Sequence, residues 1–234
     1  MRLLLVAALL VGLTACAPAP TPRSQTVTVF AAASLTESFE EIADAYEDSN
    51  PGVDIVFNFG GSSGLAAQLA EGAPADAFAA ASPSVMKAAA WGDEPVVFAT
   101  NVLQIAVPAG NPGEVSGLAD FAHADLEIAL CSPEVPCGGG AAQLFDAAGI
   151  TPSVDTYEQD VKAVLTKISL GEVDAGVVYV TDVLSSDGVD GIPIDSEPVD
   201  YPIAAVTDRG HAFIDFVMSA EGQAILKAAG FGAP

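Results

Sequence analysis

The sequence predicts an α/β fold with largely parallel sheets, and two observations carry that expectation. Runs rich in β-branched and aromatic residues alternate with runs whose apolar residues fall at helical spacing. The same junction also recurs: a strand-like run ends in small residues or a capping residue, and a helix opens at once, around Ser34, Ser62, Pro136 and Asp160. With 234 residues and a hydrophobic fraction of 51%, the chain can fill one large domain or two smaller ones.

The first residues read as a targeting segment. Arg2 supplies a positive charge, residues 3–13 are apolar but too few to span a bilayer comfortably, and Leu13-Thr14-Ala15-Cys16 resembles a bacterial lipobox. Residues 1–15 are expected to be a lipoprotein signal peptide, with Cys16 as the lipidated mature N-terminus. Residues 16–25, rich in Pro, Thr and Ser, read as a flexible tether.

Residues 27–33 then form a strand, and Leu35, Phe39, Ile42, Ala43 and Tyr46 mark a helix. Ser34 followed by Glu37 is a capping box, which puts the serine where helix amides lack partners. Such a helix start either caps itself or holds an anion. After the turn Asn50-Pro51-Gly52, residues 53–59 read as a strand, Gly60-Gly61-Ser62-Ser63-Gly64 as a loop, and Leu65 and Leu69 as a helix ending near Gly72. Asp76 sits beside an alanine-rich strand and suits a turn or cap, and residues 83–91 look helical.

Residues 102–107 form a strand that could cross into a second lobe, and residues 125–130 another. Pro136-Cys137-Gly138-Gly139-Gly140 reads as a Gly-rich loop opening a helix over 141–148; the P-loop lysine is absent. Asp160 is a natural N-cap for a helix with Val161, Val164, Leu165 and Ile168 on one face, ending at Gly171. Tyr179 falls at the carboxyl end of a strand over 173–180, where open α/β sheets place ligand sites, though taken alone the position favours a buried core tyrosine. Residues 201–206 form a returning strand, and residues 212–229 the final helix or helices.

Charge excludes one class of partner. With 31 Asp and Glu against 7 Lys and Arg, the net charge is -24, and no basic surface for nucleic acid can be assembled. An exported hydrolase using Ser34, Ser62 or Ser63 finds little support, since the only histidines are His123 and His211 and no G-x-S-x-G elbow is present. No cluster has metal-ligand spacing, and no resident cofactor is expected. With Cys16 set aside, Cys131 and Cys137 are expected to form a disulfide in an exported chain, two free thiols being the alternative.

The segments Val29-Phe30-Ala31-Ala32-Ala33-Ser34-Leu35-Thr36, Gly72-Ala73-Pro74-Ala75-Asp76, Val135-Pro136-Cys137-Gly138, Asp160-Val161 and Val178-Tyr179-Val180-Thr181-Asp182 resemble the periplasmic molybdate-binding proteins of ABC importers, in order and over nearly the whole mature chain. The resemblance implies a two-lobed, type II periplasmic-binding-protein-like fold, each lobe a mostly parallel sheet flanked by helices. Lobe 1 would take residues 26–104 and 203–234, and lobe 2 residues 105–202. It further implies a tetrahedral oxyanion, molybdate or tungstate with another such as sulfate as the alternative, held between the lobes by Ser34 and Ser62 through hydroxyl and amide, Cys137 and Val161 through amides, and Tyr179 through its phenol. Ser63 replaces Ser62 if the alignment slips by one. The partner would be a membrane permease, the working form a lipid-anchored monomer outside the cell membrane, and the chain a receptor rather than an enzyme. Cys137 and the Gly60-Gly61 pair depart from residues common in that family.

Overall fold

The computed structural model describes residues 25–234. The expected signal peptide, Cys16 and all of the tether but Gln25 lie outside the described residues. Gln25 itself opens the first strand, its N–H donating to the Gly52 carbonyl at 2.7 Å.

Two five-stranded sheets organise the chain. The first is built from β1 (Gln25–Ala32), β2 (Val53–Gly60), β3 (Ala77–Ala79), β4 (Val96–Asn101) and β10 (Val199–Ala205), in the order β2-β1-β3-β10-β4. The second contains β5 (Leu103–Pro108), β6 (Ile128–Cys131), β7 (Thr156–Glu158), β8 (Ala175–Tyr179) and β9 (Val189–Pro193), in the order β7-β6-β8-β5-β9. In the first sheet β1 pairs in parallel with β2 and β3, while β10 runs against both of its neighbours. The second sheet repeats this, with β6 parallel to β7 and β8, and β5 against β8 and β9. Each sheet is therefore mixed, with one strand opposed to the other four. Those opposed strands, β5 and β10, are the ones by which the chain enters the second sheet and returns to the first.

The crossings lie earlier than the sequence suggests. Leu103 and Gln104 already pair with β8, and residues 199–202 already pair with β4. The first crossing falls at Asn101 and Val102, where Asn101 Nδ2 donates to Thr181 Oγ1 at 2.8 Å and Asn101 Oδ1 accepts the Val102 N–H at 3.0 Å. A buried asparagine with both ends engaged marks this position better than hydrophobicity does.

The helices follow from their apolar faces. Helix α1 (Thr36–Ser49) buries Phe39, Ile42, Ala43 and Tyr46, and the Phe39 ring lies 5.6 to 6.0 Å from those of Phe57, Phe98 and Phe213. Helices α2 (Ser62–Ala70) and α3 (Pro83–Ala89) pack against each other in lobe 1. Helices α4 (Pro136–Ala148) and α5 (Val161–Ser169) cover lobe 2; α5 buries the predicted Val161, Val164, Leu165 and Ile168, and Asp160 Oδ1 caps it by accepting from the Ala163 N–H at 2.9 Å. The short α6 (Val180–Leu184) leaves β8, while α7 (Asp208–Val217) and α8 (Ala220–Ala228) complete lobe 1.

Asp76 does more than cap a turn. Its Oδ2 accepts the Thr28 N–H, and its Oδ1 accepts from Thr207 Oγ1 and Arg209 Nε, each at 2.8 Å, which ties β1, β3 and α7 together. Burial pushes this carboxyl upward, but the bonds from Thr28, Arg209 and Thr207 more than offset that and hold it below the usual range. Among the described residues no helix is long and apolar enough to cross a membrane.

Candidate anion-binding site

Five predicted residues meet around one small cavity: Ser34, Ser62, Cys137, Val161 and Tyr179. Ser34 follows β1 and Ser62 begins α2 after β2, both from the first sheet. Cys137 lies in the first turn of α4 after β6, Val161 begins α5, and Tyr179 ends β8, all on the second sheet. The cavity thus lies between the lobes, at carboxyl ends of strands and N-termini of helices. First-turn amides have no acceptor within their own helix, so Ser62, Cys137 and Val161 offer N–H groups there.

The capping box expected at Ser34 is not formed. Residues 33–35 make a single 3-10 turn instead, with no side-chain cap, and α1 starts after it. Ser34 Oγ lies 2.9 Å from the Tyr201 hydroxyl, and Glu37 reaches across the cleft to Lys162, so neither side chain is left for the cap. Ser62 Oγ accepts the Ala81 N–H at 3.1 Å, which leaves its own hydrogen available. Ser63 is engaged elsewhere, donating to the Glu134 carbonyl of the other lobe at 2.6 Å.

Tyr179 is buried, and its hydroxyl has no partner in hydrogen-bond geometry. Its ring meets that of Tyr201 edge-on at 5.8 Å, and although the Tyr201 hydroxyl is near enough to lower the Tyr179 pKa, it falls outside that geometry. Burial, with the Asp182 charge adding to it, still pushes the Tyr179 phenol well above its ordinary value. Burial does the same to Tyr201, with Tyr179 adding to it. Both phenols therefore stay protonated.

The Gly138-Gly139-Gly140 run belongs to α4 rather than to a loop before it. A Cβ on Gly138 would strike the carbonyls of Cys131 and Ser132, so glycine lets the first turn of α4 press on the end of β6. The Cys131–Cys137 disulfide, with Cα atoms 5.8 Å apart, joins the same two places and fixes the Cys137 amide at the cavity. Closing so short a loop contributes roughly 2 kcal/mol on a chain-entropy basis.

Charge is kept to the rim. Asp160 touches the cavity, but its Oδ1 caps α5. Lys162 Nζ lies 2.8 Å from Glu37 Oε2 on α1 and 3.4 Å from Asp182 Oδ1. Gly61 packs so closely on the Gln159 carbonyl that a Cβ would collide with it. Together with the Ser63 bond and the Lys162 pair, this contact shows the lobes closed on each other. The sequence reading singles out neither Tyr201 nor Lys162, because nothing in a strand-forming tyrosine or a helical lysine distinguishes it from a packing or surface residue.

Neither histidine lines the cavity. His211 binds the Thr207 carbonyl at 2.7 Å and Asp93 at 3.0 Å, and His123 lies 4.0 Å from Asp120. No serine at the cavity therefore has a histidine beside it to act as base. Among the described residues no group of His, Cys, Asp and Glu could hold a metal ion.

Residues 27–232 match the family described as bacterial extracellular solute-binding protein. The chain belongs to that family. Among the relatives of this solute-binding protein is the molybdate-binding protein ModA of Mycobacterium bovis, 39% identical over 98% of this chain and 97% of the relative. A putative ABC transporter substrate-binding lipoprotein, YvgL of Bacillus subtilis, is 32% identical over 89% of this chain and 86% of its own length. Among solved structures, the periplasmic molybdate-binding protein of Azotobacter vinelandii superposes with a TM-score of 0.75 over 89% of this chain and 99% of that one; at 18% identity it speaks for the two-lobed fold alone.

Proposed function

We propose that this solute-binding protein is an extracytoplasmic receptor that holds molybdate, and tungstate of nearly the same size, in the closed cleft and delivers it to the membrane permease of an ABC importer. The observation that carries the reading is the make-up of the cavity wall: hydroxyls of Ser34, Ser62 and Tyr179 and first-turn amides of Ser62, Cys137 and Val161, with the neighbouring lysine already paired. A proton-free dianion needs only donors, and hydrogen bonds to a charged group contribute about 1.5–3 kcal/mol each. Hydrogen phosphate brings a hydrogen that wants an acceptor, and sulfate is to be rejected by size. The name of the Mycobacterium relative supports molybdate as the ligand. The receptor is monomeric and tied to the outer face of the cell membrane through lipid on Cys16, a reading the description of the Bacillus relative as a lipoprotein supports.

Thermal denaturation tests the assignment. At about a hundredfold its Kd a ligand adds about 2.7 kcal/mol, so saturating molybdate is expected to raise the Tm by roughly 5 to 10 °C, and Ser62→Ala to erase most of that rise. A melting point indifferent to molybdate would reject the proposal.

A further inference from the structure

We propose that Tyr201 is a positioning residue that commits the Ser34 hydroxyl to donating into the cleft, and thereby sets the preference of the site for proton-free oxyanions over hydrogen phosphate. The inference rests on the anion-binding reading of the cavity.

The geometry assigns the direction of one hydrogen bond. Tyr201 is fully buried, and among the described residues Ser34 Oγ, at 2.9 Å, is the one group in hydrogen-bond geometry with its hydroxyl. Asn101 is close by, but its side-chain oxygen takes the Val102 N–H and its amide donates to Thr181. If Ser34 donated to Tyr201, the phenolic hydrogen would have only the Tyr179 oxygen to turn to, outside hydrogen-bond geometry; if Tyr201 donates to Ser34 at 2.9 Å, both hydrogens find a use. A phenol is also the stronger donor of the two. Burial keeps it protonated, so the arrangement persists through the neutral and mildly alkaline range.

With the Tyr201 hydrogen on its oxygen, Ser34 turns its own hydrogen to the cavity. Ser62 is treated the same way by the Ala81 N–H at 3.1 Å. Two serines that could each have accepted a hydrogen from the ligand are thus supplied from the interior and face it as donors. Tyr179, unpartnered at the wall, adds a third.

Tyr201→Phe tests this while keeping the ring contacts with Phe98, Tyr179 and Phe231. The purified protein and the variant are titrated near neutral pH with molybdate and sulfate, which carry no hydrogen, and with phosphate, which does. The variant is expected to bind molybdate about tenfold more weakly while phosphate changes by less than about twofold, so that the preference narrows about tenfold. In a Ser34→Ala background the same change is expected to do nothing more, because both substitutions act through one hydroxyl. Equal weakening of every oxyanion, or effects of the two substitutions that simply multiply, would overturn the role of Tyr201. If the unaltered protein bound none of the three, the receptor reading would fail first and take this inference with it; unaltered binding beside an unchanged ratio defeats the inference alone.

Discussion

Asp182 is fully buried beside the cleft, its Oδ2 accepting the Tyr179 N–H at 3.0 Å and its Oδ1 facing Lys162. Burial pushes this carboxyl up to about 6, against the pull of Lys162 and the Tyr179 N–H. The unfolded chain gives up that proton near pH 4, so between about pH 4 and 6 the folded protein holds a proton that the unfolded one has released, and stability falls as pH rises. Asp182→Asn removes this dependence while keeping an acceptor for the Tyr179 N–H. Its melting temperature relative to the unaltered protein is expected to improve between pH 4 and pH 7, by on the order of 3 kcal/mol in stability if the whole shift is expressed. A difference that stays constant over that range would contradict the assignment. Residues of this kind were the least legible in the sequence. Ser34, Ser62, Cys137, Val161 and Tyr179 could be named because the segments that hold them resemble those of a known family, whereas Tyr201 and Lys162 meet partners far away in the chain, Tyr201 at Ser34 and Lys162 at Glu37.

Helix starts bring the donors together, and their placement depends on close backbone approach. Gly61 precedes α2 with φ of -62°, a conformation open to any residue, yet a Cβ there would meet the Gln159 carbonyl of the opposite lobe. Gly61→Ala should therefore leave the melting temperature of the ligand-free protein nearly unchanged, because open lobes relieve the clash, and weaken molybdate binding at least tenfold, because closed ones cannot. An equal loss in both would show that Gly61 serves the fold of lobe 1 instead. The sequence read these elements unevenly for a physical reason. Strands with neighbours on both sides, such as β1, β6 and β8, announce themselves as apolar runs, whereas β4, β7 and β9, which it did not single out, all lie at sheet edges. Val96 and Val97 of β4 and Tyr157 of β7 are exposed there, so hydrophobic pattern alone does not mark a strand. Local pattern likewise suggested the Ser34 to Glu37 capping box, and tertiary partners overrode it.

The whole molecule is two similar sheets joined by two crossings, with the cavity where the lobes meet. Alternation along the sequence was enough to predict the sheets, but the crossing points at Asn101 and before Val199 depend on which strand pairs with which, and that is not written in hydrophobicity. The chain carries a net charge of -24, and its cavity is lined by neutral donors with one carboxylate, Asp160, turned to cap α5, so any anion it holds is bound against the field of the protein by oriented dipoles at short range. That is the central claim, and calorimetric titration of the soluble chain with molybdate, sulfate and phosphate in parallel tests it most directly. One molybdate is expected to bind tightly to each chain, with little response to phosphate or sulfate. Phosphate or sulfate binding as well as molybdate would contradict the donor-only, size-limited cavity, and no binding by any of the three would return the helix starts to ordinary structural roles.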